Sequence, residues 1–212
     1  MLLFDMDGTL IDSNGIWKAV DTEFLARRAL PYTQAYYEGV AHTIFPLAAK
    51  FTKEFCHLPE SEEEIMAEWM ELAGDLYAGS VPEKPGVRAF LERMRARGER
   101  MAVVTSAVPV HCRSALTHLG LLPYFERIFF AQDLGMEKKT PELWKKVAAE
   151  LNAAPEACTL FDDSVEAIRG AKAAGMHTVG VADPYFASCA GEMAQTCEKF
   201  VSGFDAPEMA AF

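Results

Sequence analysis

The sequence predicts an α/β fold: a parallel sheet core flanked by helices, with a small α-helical domain inserted after the first strand. Three observations carry this expectation. Short runs that are apolar on both faces alternate with helical stretches. Those helices begin at proline or a polar cap and stop at glycine. Residues 14–80 keep helical spacing and show no strand pattern.

The apolar runs come in order. Residues 1–5 (MLLFD) are the first, ending in Asp5. MAVVT (101–105), RIFFA (127–131), CTLFD (158–162) and HTVGV (177–181) follow, each rich in Val, Leu, Ile or Phe. EKFVSGF (198–204) is a candidate edge strand. Between them, helices are expected over 86–97, 109–119, 141–151 and 164–174. Strands alternating with helices of this length imply right-handed βαβ units and a parallel sheet.

The insertion is legible from spacing. Trp17, Val20, Phe24 and Leu25 recur at helical intervals, as do Ile65, Trp69, Leu72 and Leu76. About four helices are expected. The core would comprise 1–13 and 81–212 and the inserted domain 14–80, with hinges near Ser13–Gly15 and Gly79–Pro85. The acidic run ESEEE (60–64) reads as a solvated helix start, where negative charge suits the helix dipole. VAHTIFP (40–46) reads as a loop.

Charge and composition narrow the partners. The chain has 212 residues and a formal charge of −11, with half its residues apolar. A surface this acidic repels nucleic acid and anionic membrane, so neither is an expected partner. No apolar run approaches the roughly 20 residues of a membrane span. MLLFDMDGTL has no basic leader and meets an aspartate at position 5, unlike a secretory signal. The cysteines Cys56, Cys112, Cys158, Cys189 and Cys197 are scattered, which reads as idle thiols in a reducing compartment. The expected setting is the cytoplasm, and the expected assembly a monomer or weak homodimer.

Ligands of open parallel sheets sit at the carboxyl ends of the strands. There the first run delivers Asp5-Met6-Asp7-Gly8-Thr9 and the second Thr105-Ser106. Lys138-Lys139 follow the third, and the fourth ends in Asp162-Asp163-Ser164. Crowded carboxylates repel one another unless a cation binds between them. Such an oxygen set suits Mg²⁺, which would bridge to a phosphate oxygen. Asp5 could then attack phosphorus, and Asp7 could protonate the leaving oxygen and later take a proton from water. Thr105, Ser106 and a lysine could bind phosphoryl oxygens. A small phosphorylated metabolite is the expected substrate.

These residues, in this order, resemble the haloacid dehalogenase superfamily, in the branch with a helical cap after the first motif. The matching stretches are LLFDMDGTL, MAVVTS, EKKTPELW and LFDDS followed by AAGM, spanning residues 1 to about 181. The resemblance implies a Rossmann-like core with a cap. It makes Asp5 the nucleophile and a metal ligand, and Asp7 the general acid/base that also binds metal through its backbone carbonyl. Thr105 would hold phosphate, and Asp163 would bind metal with Asp162 as a second carboxylate. The family pattern Lys-Pro-x-Pro is broken here by Lys139. Counting back from Pro141 points to Lys138, and the choice between the two lysines stays open.

The family also holds dehalogenases and phosphonatases, which lack the second aspartate of the DxD pair. Asp7 therefore argues for a phosphate ester, cleaved by a phosphatase. Two alternatives stand beside it: a β-phosphoglucomutase-like mutase and a non-catalytic phosphometabolite-binding protein. Such mutases carry a histidine where Trp17 stands and an arginine in the cap, whereas no arginine lies between Arg28 and Arg88. The cap is expected to act as a lid and to choose the substrate, with Trp17, His42, Thr43 and Phe45 as its candidate residues. So little positive charge there implies a small monophosphate with a neutral or partly apolar leaving group.

Overall fold

The computed structural model describes residues 1–40 and 45–212. The chain divides into two compact units: Met1–Asn14 with Val81–Phe212, and Gly15–Ser80.

The first unit is built on strands β1 (Leu2–Phe4), β2 (Met101–Thr105), β3 (Arg127–Phe130), β4 (Thr159–Asp162), β5 (His177–Val181) and β6 (Lys199–Val201). They form one parallel sheet in the order β3-β2-β1-β4-β5-β6. The chain builds outward from β1 to one side and then returns to lay β4 on the other. That reversal opens the crevice in which such sheets hold ligands.

Register explains the core. Leu3 pairs with Ala102 and Leu160, and Phe4 with Val103 and Phe161. Successive side chains point to opposite faces. Leu3, Ala102 and Leu160 meet Trp144, Val147 and Ile168, which come from helices α8 (Pro141–Glu150) and α9 (Val165–Ala173). On the other face Phe4 stacks on Phe161 with ring centroids 4.8 Å apart. Phe90, Phe204 and Phe212 pack on the Phe161 ring. Burying each such ring stabilises the fold by about 1.5–3 kcal/mol.

The remaining helices of this unit are α5 (Val87–Ala96), α6 (Pro109–His118), the one-turn α7 (Ala131–Leu134) and α10 (Ala190–Thr196). Neither α7 nor α10 is apparent in the sequence, being too short to show a period. Proline opens α6 and α8, where a missing N–H costs nothing.

The second unit holds α1 (Ile16–Ala26), α2 (Gln34–Val40), α3 (Phe45–Cys56) and α4 (Glu62–Gly79). Ile16, Val20, Phe24 and Leu25 of α1 are buried, as are Ile65, Trp69, Leu72, Ala73 and Tyr77 of α4. Phe24 meets Trp69 edge to face at 5.6 Å. Ser61 and Glu64 form a reciprocal capping box at the start of α4, so the acidic run caps as well as charges this terminus. Arg28 grips Glu60 at 2.8 Å and Glu68 at 2.7 Å. The expected loop at 40–46 is corrected at its described ends. Val40 closes α2, and Phe45 and Pro46 open α3, where proline's fixed φ suits a first helical turn.

All five cysteines are free thiols. No described helix is long and apolar enough to cross a membrane.

Candidate active site

The site is built from the turn that follows β1. The Asp5 amide continues the ladder by donating to the Phe161 carbonyl at 2.9 Å. The chain then folds tightly on itself. The amides of Thr9, Leu10 and Ile11 all donate to the Met6 carbonyl, and that of Gly8 to the Ile11 carbonyl. Gly8 has φ +77°, which favours glycine, and space demands it as well. A Cβ there would lie 2.1 Å from Asn14 Nδ2 and 2.2 Å from Asp163 Oδ2.

The turn brings distant segments together. Asp5, Asp162 and Asp163 are buried, and each offers a carboxylate oxygen within 4.8 Å of the others. Lys138, on the segment before α8, places Nζ 2.6 Å from Asp5 Oδ1 and 2.7 Å from Asp162 Oδ2. Asp163 accepts from Thr9 Oγ1 at 3.1 Å and from Asn14 Nδ2 at 2.8 Å. Asp162 Oδ1 accepts from the Ser164 amide at 2.8 Å, while the Ser164 hydroxyl caps α9.

The electrostatics follow from burial. Burial pushes Asp162 well above the ordinary carboxylate range, against the pull of Lys138, and the charge of Asp5 adds to the rise. Asp163 is pushed the same way by burial and by the charges of Asp5 and Asp162. Burial disfavours the Lys138 ammonium, but Asp162 and Asp5 outweigh it and hold the lysine charged. One ammonium against three carboxylates leaves the cluster short of positive charge. The buried oxygen donors therefore fit a hard divalent cation.

The other sequence candidates divide. Asp7 lies beside the cluster and not in it; its Oδ1 accepts a 2.5 Å hydrogen bond from Ser13 Oγ. Thr105 is buried at the end of β2, its Oγ1 accepting from the Ala107 amide at 3.0 Å. Ser106 beside it is exposed. Lys138, to which the spacing from Pro141 points, and Lys139 part company: Lys139 is exposed and pairs with Glu137. Trp17, 39% exposed, meets Phe45 edge to face at 5.4 Å inside the helical unit. Phe45 also packs on Trp69 at 5.5 Å. His42 and Thr43 lie outside the described residues.

Three polar residues are given no role in the site by the sequence reading: Thr9, Ser13 and Asn14. Their signal was proximity, since each stands within seven positions of Asp7. Cys112 sits near enough for Asp7 and Asp5 to act on its thiol. Burial and then those charges push it up to about 12, which leaves it inert. A cavity of about 340 Å³ also borders Asp163, lined by apolar groups including Val181, Pro184, Phe186 and Met193.

Comparison with known proteins finds relatives over most of the chain. The family described as haloacid dehalogenase-like hydrolase matches residues 2–181. A phosphorylated carbohydrates phosphatase of Thermotoga maritima is 25% identical over 178 residues, covering 84% of this chain and 82% of the relative. Hexitol phosphatase B of Escherichia coli K12 is 27% identical over 191 residues, covering 86% and 83%. The crystal structure of a putative β-phosphoglucomutase from Thermotoga maritima superposes with a TM-score of 0.82 at 24% identity, covering 94% and 93%. At that identity it speaks for the fold alone.

Proposed function

The chain belongs to the haloacid dehalogenase-like hydrolases, and from that premise we propose that it is a Mg²⁺-dependent phosphohydrolase of small phosphomonoesters. The observation that carries this reading is the meeting of Asp5, Asp162 and Asp163 around one lysine ammonium at the carboxyl edge of the sheet. Phosphatase names among relatives at 25–27% identity support hydrolysis over mutase chemistry.

The residues divide the work. Asp5 Oδ attacks phosphorus, forming an aspartyl phosphate as the ester P–O bond breaks. Asp7 gives its proton to the leaving alkoxide, then takes one from the water that attacks phosphorus and frees Asp5. Lys138 and the Thr105 hydroxyl, with the Ser106 amide, bind phosphoryl oxygens and stabilise charge in the transition state. Asp5, Asp162 and Asp163, with the Asp7 carbonyl, would hold Mg²⁺. When bound, the ion neutralises phosphoryl charge. The Ser13 hydrogen bond keeps the Asp7 carboxyl oriented.

In this reading the helical unit serves as the cap that chooses the leaving group, with Trp17 and Phe45 as candidate contacts. The apolar cavity beside Asp163 favours a neutral or partly apolar leaving group. Five free thiols suit the reducing cytoplasm, where the enzyme would act as a monomer or weak homodimer.

A phosphometabolite panel with released phosphate as readout tests the proposal. Turnover with Mg²⁺ that is abolished by Asp5→Asn is the expected result. Substrate isomerisation without phosphate release, or binding without turnover, would reject it.

A further inference from the structure

Lys138 stands on irregular backbone between α7 and α8. Its side chain is long and has many rotamers, yet its ammonium is fixed within 2.7 Å of two carboxylates. Something must hold the peptide from which it springs.

Two contacts do so, and both fall on the Lys138 carbonyl. Trp144 Nε1 donates to it at 2.7 Å. Trp144 is fully buried in the core between the sheet and the helices, so the donor has a fixed position. The second contact is with Gly170 of α9. A Cβ there would lie 2.3 Å from the Lys138 oxygen, 2.8 Å from the Lys139 carbonyl carbon and 2.9 Å from the Lys139 oxygen. Backbone touches backbone at that point, so glycine is needed for space.

The contact also fixes the lysine relative to its partners. Helix α9 begins directly after Asp162-Asp163 and its Ser164 cap, and Gly170 lies within the same helix. The element that follows the carboxylates therefore abuts the backbone of the lysine that pairs with them.

We propose that Trp144 and Gly170 are positioning residues that seat the Lys138 carbonyl and so aim its ammonium at Asp5 and Asp162. The kinetic consequence rests on the phosphohydrolase reading; the geometric one does not. Alanine is the better helix former, so at an ordinary helix position Gly170→Ala would stabilise and leave activity alone. Here it must push the Lys138 peptide away. Trp144→Phe keeps a large ring and removes the donor.

The test uses the whole purified protein labelled with ¹⁵N-lysine. An ammonium clamped by two carboxylates exchanges slowly with water and gives its own ¹H–¹⁵N signal, assigned by its loss in Lys138→Arg. The expected result is that Gly170→Ala and Trp144→Phe each lose or broaden that signal while the protein stays folded. On the best substrate of the panel, kcat should fall about 10- to 100-fold, with KM changing far less. In a Lys138→Ala background the same substitutions should leave kcat within about twofold, because both act through that lysine.

No resolved Lys138 signal in the wild-type protein, or an unchanged one in both variants, would overturn the proposal. So would an equal loss of kcat with and without Lys138. If alanine at 170 prevents folding, Trp144→Phe decides alone. If the wild type turns over no phosphoester and the signal is still lost in the variants, the positioning stands and the phosphohydrolase reading falls.

Discussion

Ser13 Oγ reaches back six residues to donate a 2.5 Å hydrogen bond to Asp7 Oδ1. The hydroxyl is buried, while the carboxylate is half-buried. The bond holds Asp7 Oδ1 in a defined position. A carboxyl that must give and then take a proton gains from such a fixed orientation. Ser13→Ala should therefore lower kcat by about 10-fold or more with little change in the unfolding midpoint. Steady-state kinetics beside thermal unfolding would check this, and an unchanged kcat would remove Ser13 from the mechanism.

Gly8 is the least replaceable residue of the turn. Alanine there meets the left-handed penalty of about 1–2 kcal/mol. It must also displace Asn14 Nδ2 and Asp163 Oδ2, which lie 2.1 and 2.2 Å from the added Cβ. Moving those two groups disturbs Asp163, one of the three clustered carboxylates. Gly8→Ala should lower stability by more than 2 kcal/mol, the conformational and steric costs together, and should weaken any Mg²⁺-induced rise in melting temperature. Retained stabilisation by Mg²⁺ would show that the turn relaxes without disturbing the site.

Much of this was readable in the sequence because parallel strands buried on both faces leave a plain apolar signature. MAVVT and HTVGV correspond to β2 and β5 residue for residue. Asp5, Asp162 and Asp163 were visible because a strand end fixes where its next residue stands. The lysine pair was only partly separable: counting back from Pro141 points to Lys138, and Lys139 in place of a proline leaves the choice open. The distinction comes from Trp144 and Gly170, which lie 6 and 32 positions from Lys138 and act through packing. In sequence, Ser13 and Asn14 read as hinge residues with no part in the site, for the same reason. Each looks like a turn residue until the chain doubles back on itself.

The crowded carboxylates predict a linked response to pH and metal. Asp162 and Asp163 both titrate above the ordinary carboxylate range, chiefly from burial. A carboxyl raised in the folded state stabilises the fold while protonated, and that contribution is lost as pH rises through the folded value. Metal-free protein should thus lose stability as pH climbs above the ordinary carboxylate range. Mg²⁺ competes with the protons, so the melting temperature it adds should be larger at pH 8 than at pH 6. Asp163→Asn should remove most of that gain. A pH-independent shift, or one that survives in Asp163→Asn, would place the cation elsewhere.

A half-buried carboxyl of the helical unit gives a test free of the metal question. Asp21 of α1 accepts from the Tyr36 hydroxyl of α2 at 3.1 Å, and that hydroxyl lies 3.0 Å from Thr52 Oγ1 of α3. Burial raises Asp21 from 3.8 to about 6, and the Tyr36 bond only partly opposes it. The folded value exceeds the unfolded one, so the fold is favoured while Asp21 is protonated and loses that advantage as pH rises through about 6. At pH 7.5 the ionised form is a liability of up to about 3 kcal/mol, reduced by the water that reaches it. Asparagine keeps an oxygen for Tyr36 and cannot ionise. Asp21→Asn should therefore raise the denaturant midpoint at pH 7.5 by an amount worth about 1–2 kcal/mol, and by about half as much at pH 5, which lies between 3.8 and about 6. Equal shifts at the two pH values would mean that Asp21 is solvated in the folded protein.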